Sequence, residues 1–182
     1  RSLHIAINLG AEDIRSGRFL RVLDEVLPRT RIRADQIWLE ATERGFIDIE
    51  AARLTLAQAR AAGHSVAIDD FGTGYSSLRH LQDLPLDALK IDKSFVDTIG
   101  LEAATSPVTA HIVEMARALD LHIVAEGVET QAQLDYLRSR EVGYAQGWYF
   151  SRPLPAAEFI AFLRRSRVTH GAGPEVIRRP ER

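Results

Sequence analysis

Short apolar stretches of strand length recur along the chain, and each is followed by a longer amphipathic stretch. The cores of the apolar stretches are nearly continuous rather than alternating, as in Ile5-Ala6-Ile7 and Val66-Ala67-Ile68. Strands that are buried on both faces, as in a parallel sheet covered by helices, have this pattern. The predicted strands are Leu3–Leu9, Gln36–Thr42, Ser65–Asp70, Ala88–Asp92, His122–Gly127 and Gly143–Phe150.

Helical spacing and capping signals predict helices between these strands. Apolar residues at helical spacing run from Ile14 to Leu27, and Pro28 ends the segment. The segment Ala51–Ala62 is rich in good helix formers, and Gly63 stands where a left-handed C-terminal cap is expected. Further helix starts are predicted at Ser106-Pro107, Thr130-Gln131-Ala132-Gln133 and Pro155.

The alternation of strands and helices predicts parallel strands joined by right-handed crossovers. Two α/β architectures fit this order, an open doubly wound sheet and a closed (β/α)8 barrel, which typically takes ~250 residues. The chain has 182 residues and starts without Met, immediately before a strand-like segment. We therefore expect a TIM-type barrel lacking its first strand(s) over residues 1–166. The Gly-, Pro- and Arg-rich residues 167–182 are expected to form a loose C-terminal tail.

Composition limits the classes of function. With a formal net charge of -2, the chain has no global positive field for long nucleic acid. The absence of cysteine excludes disulfides, thiolate zinc sites and cysteine nucleophiles. No apolar run approaches the ~20 residues that span a bilayer, and these residues contain no signal-peptide pattern. We expect a cytoplasmic location, alone or as the cytoplasmic part of a larger membrane-anchored protein.

Every predicted strand carries a polar side chain at or near its carboxyl end, which is the ligand-binding end in both architectures. Any one such residue could be a helix cap or a loop residue, but six at one edge indicate a site. The adjacent Asp69 and Asp70 repel each other unless a cation shares them. The strand-end residues are Asn8, Glu40, Asp69-Asp70, Lys90 with Asp92, Glu126 and Gln146.

Oxygen ligands without cysteine suit hard ions such as Mg²⁺, Mn²⁺ or Ca²⁺. Two such ions about 4 Å apart can activate water and hold a phosphate for in-line attack. Lys90 could orient the water or offset developing charge, or it could be the ion-pair partner of an aspartate. The pattern therefore predicts a two-metal site for cleavage of a phosphate ester.

The histidines and large aromatic residues are predicted to be structural. The histidines have no metal-binding spacing, and His4, His64 and His122 lie beside strand starts, away from the polar strand ends. The predicted packing residues of the barrel and between helices are Trp38, Trp148 and Phe150.

Several of these motifs, taken in order, resemble those of the EAL-domain family. The similarity extends from about Leu3 to Leu163 and includes Asn8 in its strand. The matching segments are Glu40-Ala41-Thr42-Glu43, Asp69-Asp70-Phe71-Gly72-Thr73-Gly74-Tyr75-Ser76-Ser77-Leu78, Lys90-Ile91-Asp92, Ala125-Glu126-Gly127-Val128-Glu129-Thr130, and Gln146-Gly147 through Arg152-Pro153-Leu154. The resemblance implies a bacterial phosphodiesterase that linearises cyclic di-GMP to pGpG with Mg²⁺ or Mn²⁺.

The resemblance also implies a role for each matching residue. Asp69 would bridge two metal ions, Lys90 would position the attacking water, and Gln146 would lie beside the metals or the scissile phosphate. Glu43 would anchor the Asp69–Leu78 loop, which couples catalysis to dimerisation, so a homodimer through this region is expected. The implied metal ligands are Asn8, Glu40, Asp69, Asp70 and Glu126; the catalytic residues are Lys90, Asp70, Glu43 and Gln146; the residues at the guanine pockets are Asp92, Glu129, Tyr149 and Pro153.

One family feature is absent from the sequence. The Glu-Ala-Leu motif that names these domains does not occur here and would lie before Arg1, so we interpret the departure as truncation. Without that segment, weak or no hydrolysis is expected. The alternatives are a cyclic di-GMP receptor with little or no turnover and, last, a protein-interaction module. Flanking sensory or cyclase domains are compatible with all three.

Overall fold

The computed structural model describes residues 3–42, 45–46, 48–72, 78–100 and 106–169. The strands are Ile5–Leu9 (β1), Ile37–Thr42 (β2), Ser65–Phe71 (β3), Ala88–Ile91 (β4), His122–Ala125 (β5) and Tyr144–Ala145 (β6). The α-helices are Ala11–Ser16 (α1), Arg18–Val26 (α2), Ile49–Ala61 (α3), Leu78–Asp83 (α4), Lys93–Val96 (α5), Ser106–Ala118 (α6), Gln131–Ser139 (α7) and Ala156–Thr169 (α8). Two short 3-10 helices, Leu27–Arg29 and Ala34–Gln36, precede β2.

The six strands form one parallel sheet in the order β1-β2-β3-β4-β5-β6. A doubly wound sheet has a switch point at which the strand order reverses, and this sheet has none among the described residues. Sequential parallel order is the order of a (β/α)8 barrel. The predicted TIM-type α/β class is therefore confirmed, and the doubly wound alternative is excluded.

Ring contacts at the amino ends of the strands reveal how strongly the sheet curves. The ring of His4, just before β1, lies 5.8 Å from that of Tyr144 in β6. His4 also stacks on Trp38 of β2 with 4.3 Å between ring centroids. In a flat sheet, strands about 4.8 Å apart would separate the first strand from the sixth by about 24 Å. The sheet is therefore rolled so that its first and last strands meet across the interior.

Alternation along each strand divides the sheet into two faces. Outward residues such as Leu39, Ile68 and Leu89 pack in the main core beneath the helices. A second, smaller cluster on the inner face contains Trp38, Ala67, Ala88 and Val124, with Tyr144 against it. At the free edge of the sheet, Ile5 and Ile7 of β1 are 54% and 38% exposed.

The strand boundaries agree with the sequence prediction except at the last strand. The stretch predicted as Gly143–Phe150 contains only the two-residue strand Tyr144–Ala145, because the chain turns out of the sheet at Gly147 with φ 153°. The prediction of strand through Trp148–Phe150 was therefore wrong.

The first predicted helix is in fact two helices. Gly17 has φ 61° and donates its N–H to the Asp13 carbonyl, which ends α1 before α2 begins. The left-handed Gly63, φ 98°, and the capping box of Thr130 with Gln133 are confirmed.

The last helix continues to Thr169, three residues into the predicted tail, and residues 170–182 lie outside the described part. None of the described helices has the length and apolar content needed to cross a membrane.

Candidate metal and phosphate site

Polar side chains replace apolar ones at the carboxyl end of the inner face. Glu40 follows Trp38 by two residues, and Lys90 follows Ala88 by two, so both point to the barrel interior. The same spacing relates Asp69 to the inner-facing Ala67. Glu40, Asp69 and Lys90 are all buried, with exposed fractions of 9%, 8% and 3%. The alternation that builds the inner core thus also builds the site.

The ammonium group of Lys90 lies at the centre of three carboxylates. Its Nζ is 2.7 Å from Glu40 Oε2 and 2.9 Å from Asp69 Oδ1. It is also 2.5 Å from Glu126 Oε1. Burial lowers the pKa of Lys90, but its hydrogen bonds to the carboxylates outweigh burial and raise the pKa above its usual value. Lys90 therefore stays charged near neutral pH and acts as a cation, not as a proton acceptor.

Three acids surround one lysine, so the cluster carries an excess of negative charge. Burial raises the pKa of Glu126, and repulsion from Asp69 and Glu40 acts in the same direction. The ion pair with Lys90 opposes the rise but does not cancel it. A divalent cation among these carboxylates would relieve the repulsion that remains.

A bulge in β3 brings two consecutive carboxylates to one site. The pairing of β3 with β4 shifts register between Ile68 and Phe71. Within this shift Asp70 has φ 53°, and its N–H donates to Asp69 Oδ1 at 2.9 Å. Successive side chains of a regular strand point to opposite faces, whereas a bulge can redirect one of them. Ligand oxygens of Asp69, Asp70 and Glu126 consequently lie within 4.8 Å of one another.

This donor set fits a hard divalent cation. All three ligand atoms are carboxylate oxygens, which Mg²⁺, Mn²⁺ and Ca²⁺ prefer. The register of β1 and β2 sets Asn8 beside Glu40, so the two other predicted ligands are neighbours at the same sheet edge. Asn8 is exposed, whereas Glu40 is engaged by Lys90.

Gln146, which follows β6 directly, reaches the same cluster. Its Nε2 donates to Glu126 Oε1 at 2.6 Å. The structure therefore brings six predicted residues together, from the carboxyl ends of β2, β3, β4, β5 and β6. They are Glu40, Asp69, Asp70, Lys90, Glu126 and Gln146.

Three of the residues predicted for the guanine pockets contact other polar groups after the ends of β4, β5 and β6. Asp92 caps α5 and accepts hydrogen bonds from the Ser94 N–H at 2.9 Å and the Ser94 hydroxyl at 2.5 Å. Glu129 pairs with Lys93 at 2.9 Å. The Tyr149 hydroxyl donates to the side-chain carbonyl of Gln131.

Pro153 is exposed, after the turn that follows β6. Glu43 and residues 73–77 lie outside the described part of the chain, and with them the predicted anchoring of the Asp69–Leu78 loop.

The predictions of structural roles for aromatic and histidine residues agree with the structure for some residues and were wrong for others. Trp38 is buried and His64 is 1% exposed, with its Nδ1 3.3 Å from the Ile37 carbonyl, as a structural role requires. Trp148 and Phe150 were predicted to pack, but they are 59% and 43% exposed, so that prediction was wrong. Both follow the turn at Gly147, which carries them off the sheet.

Sequence reasoning missed the residues that support the site. The Lys93 ammonium links Glu129 to Asp97, and Gln131 binds Tyr149. Lys93 directly follows the helix cap Asp92, and Gln131 is the first residue after the capping Thr130. Their positions could have identified them from the sequence, because the first turn of a helix that follows a strand faces the ligand-binding end of a barrel.

Three comparisons relate the chain to known proteins. The EAL domain model matches residues 1–153. The chain is 45% identical over 157 residues to the probable cyclic di-GMP phosphodiesterase PdeB of Escherichia coli, covering 86% of this chain and 30% of PdeB. It resembles the PaMucR phosphodiesterase in complex with c-di-GMP, with TM-score 0.79 and 37% identity over 86% of this chain and 64% of that one.

Similarity extends to a metal-containing structure. The Klebsiella pneumoniae BlrP1 manganese/cy-diGMP complex matches with TM-score 0.75 and 34% identity, over 84% of this chain and 39% of that chain. The chain thus spans less than a third of PdeB and under two thirds of either solved chain. The matched region contains the whole acidic cluster around Lys90. On this sequence match and the shared barrel fold, the chain belongs to the EAL domain family.

Proposed function

We propose that this chain forms the catalytic part of a metal-dependent phosphodiesterase that hydrolyses cyclic di-GMP to linear pGpG. The observation that carries the proposal is the set of carboxylates around the buried Lys90, with Asp69, Asp70 and Glu126 able to share a cation. The similarity to the PaMucR phosphodiesterase and to BlrP1, whose solved complexes contain cyclic di-GMP, supports the choice of substrate.

We propose Asp69, Asp70 and Glu126 as the principal ligands of two Mg²⁺ or Mn²⁺ ions, with Glu40 and Asn8 completing the set. Bound there, the ions would supply a nucleophilic water and neutralise charge on the phosphate. The family resemblance implies that Asp69 would be the ligand shared by the two ions; its Oδ1 contacts the Lys90 ammonium and accepts the Asp70 N–H.

In this proposal Lys90 acts on the attacking water, and Gln146 acts on the carboxylate of Glu126. Lys90 is held as a permanent cation by its three carboxylates, so it can orient the attacking water and offset developing negative charge. The amide of Gln146 fixes one oxygen of Glu126, which leaves the other oxygen to bind the metal.

The proposal also includes contacts to the substrate bases and between two subunits. Tyr149 and Pro153, which follow β6 in the chain, are proposed to shape a guanine pocket together with Asp92 and Glu129. We further propose that Glu43 anchors the Asp69–Leu78 loop and that a homodimer forms through this loop region. Flanking sensory or cyclase domains would then control turnover through that contact.

Substitution of the acids tests the function. In the full-length protein, Asp69→Asn or Glu126→Ala should lower Mn²⁺-dependent conversion of cyclic di-GMP to pGpG by at least about 100-fold, because each removes a ligand of the catalytic metal. Chromatography of the nucleotides measures the turnover. Asp35→Asn is the matched control, since Asp35 is an exposed acid before β2 that pairs with Arg33.

Full turnover in both variants would reject the site assignment. Tight calorimetric binding of cyclic di-GMP by the wild-type protein, with the nucleotide unchanged after hours with Mn²⁺, would instead favour the receptor. Absence of both nucleotide and metal binding would favour the interaction module.

A further inference from the structure

The loops that follow β5 and β6 continue to pair after both strands have ended. We call residues Glu126–Thr130 the β5 loop and residues Gln146–Ser151 the β6 loop. The Gln146 N–H donates to the Ala125 carbonyl at 2.8 Å, and the Val128 N–H donates to the Gln146 carbonyl at 3.0 Å. The Tyr149 N–H then donates to the Val128 carbonyl at 2.9 Å. These three backbone hydrogen bonds, which we call the clasp, hold the two loops together beside the site.

This clasp requires glycine at position 147. Gly147 has φ 153°, and a Cβ at this position would lie 2.2 Å from the Val128 carbonyl oxygen and 2.3 Å from the Val128 nitrogen. Both obstacles are backbone atoms that also form the clasp, so they cannot move aside without breaking it. The Val128 side chain is completely buried, which prevents the β5 loop from retreating.

The clasp determines where the side chain of Gln146 lies. Both backbone bonds of Gln146 go to the β5 loop or the residue before it, and its amide reaches Glu126 at 2.6 Å. Glu126 in turn contacts Lys90 at 2.5 Å. A displacement of the β6 loop by the size of a methyl group would therefore separate Gln146 from the acid that it fixes.

We propose that Gly147 is a positioning residue of the site: its missing side chain allows the clasp that holds the Gln146 amide on Glu126. This inference rests on the proposed phosphodiesterase function for its kinetic readout. The dependence of the Gln146–Glu126 hydrogen bond on Gly147 can be tested whether or not the protein hydrolyses cyclic di-GMP.

A double-mutant cycle in the full-length protein tests the proposal. Gly147→Ala and Gln146→Ala should each lower kcat for cyclic di-GMP by about tenfold or more, with KM changed by less than about threefold. The double variant should be no slower than Gln146→Ala within about twofold, because both changes remove the same contact. If kcat of the double variant falls by the two single fold-losses multiplied together, the two residues act independently and the proposal is overturned.

Gly100→Ala is the matched control for backbone strain. Gly100 has φ 81°, but a Cβ there meets no atom of the described residues within 4 Å. The Gly100→Ala variant should keep kcat within about twofold, even where its melting temperature falls. An equal loss of kcat in this variant would assign the effect to strain and overturn the positioning role.

A second variant loosens the clasp without a collision. Gln131→Leu removes the side-chain acceptor of the Tyr149 hydroxyl and should lower kcat in the wild-type background but not in Gln146→Ala. A Gly147→Ala protein that fails to fold, together with equal effects of Gln131→Leu in both backgrounds, would overturn the proposal.

Nuclear magnetic resonance separates failure of this proposal from failure of the proposed function. The Gln146 side-chain amide of the wild type should give a signal shifted by its bond to Glu126, and Gly147→Ala but not Gly100→Ala should abolish the shift. If the wild type does not hydrolyse cyclic di-GMP, this result would still support positioning. An unchanged Gln146 signal in folded Gly147→Ala would overturn it.

Discussion

Lys90 is the residue on which the electrostatics of the site depend. Its side chain is 4% exposed and contacts the carboxylates of Glu40, Asp69 and Glu126, which would otherwise repel one another in the barrel interior. Removing one partner of a buried ion pair leaves charge uncompensated, which is far more costly than losing an exposed pair.

Replacing this lysine should destabilise the metal-free protein. Lys90→Met is expected to lower the free energy of unfolding by about 3–5 kcal/mol without metal, because three carboxylates lose their cation. Saturating Mn²⁺ should stabilise this variant more than it stabilises the wild type, since the ion takes over part of the neutralisation. Urea denaturation with and without Mn²⁺ measures both effects.

Lys93→Met supplies the comparison, because Lys93 also pairs with two acids, Asp97 and Glu129, but is 44% exposed. Its free energy of unfolding should fall by less than about 1 kcal/mol. Equal losses in the two variants, or equal stabilisation of Lys90→Met and wild type by Mn²⁺, would disprove the central role of Lys90.

At the residue scale the sequence predicted which side chains form the site but not how they meet. Glu40, Asp69, Lys90 and Glu126 were identifiable because they end apolar strands. The bulge that turns Asp70 toward its neighbour depends on the pairing of β3 with β4, which local sequence does not specify. The engagement of Asp92 by Ser94 was likewise hidden, since α5 is only four residues long.

At the scale of elements, strand positions were largely predictable and helix continuity was not. Buried parallel strands leave continuous apolar runs, so β1 to β5 begin within two residues of their predicted starts. Gly17 interrupts an apolar periodicity that continues through it, because the cap conformation costs glycine little. The short β6 was overestimated because its aromatic residues have high strand propensity, while the close approach at Gly147 turns the chain away.

The packing of β1, β2 and β6 at the amino end should be visible in solution. His4 stacks on Trp38, and burial lowers the pKa of His4 below its usual value of 6.5. With Trp148→Phe as background, Trp38 fluorescence should fall on acidification with a midpoint below pH 6.5, as the imidazolium forms against the indole. Because the neutral form is favoured in the fold, this contribution to stability is complete above pH 6.5 and is lost as pH falls through the lowered pKa.

His4→Gln should abolish that fluorescence transition, whereas His111→Gln on the exposed face of α6 should leave it unchanged. A midpoint at or above 6.5, or a transition that survives His4→Gln, would show that β1 does not curve onto β2 and β6 as described.

The whole molecule combines a rolled sheet with charge concentrated at one end. Its net charge is only -2, yet the carboxyl ends of β2, β3 and β5 place three acids around a single lysine of β4. The opposite end is filled by the rings of His4, Trp38 and Tyr144. With polar groups at one end of the strands and apolar rings at the other, the proposed phosphate site lies at the carboxyl ends, where barrels of this type bind their ligands.

One edge of the barrel remains apolar and open in the described part. Ile7 and Leu9 of β1, with Phe19, Val22 and Leu23 of α2, line a groove of about 460 Å³. Neighbouring strands and helices normally cover such residues in a (β/α)8 barrel. The sequence predicted this incomplete closure from the chain length, the start without Met and the number of strands, whereas the location of the groove between β1 and α2 depends on tertiary structure.

The position of bound manganese decides whether these acids form a metal site. Crystals of the full-length protein soaked with Mn²⁺ and measured at the manganese absorption edge should give anomalous peaks within about 2.5 Å of carboxylate oxygens of Asp69, Asp70 and Glu126. The same measurement on Asp69→Asn should show those peaks weakened or lost. Strong manganese peaks elsewhere, with none beside these three acids, would contradict the metal site and the proposed function built on it.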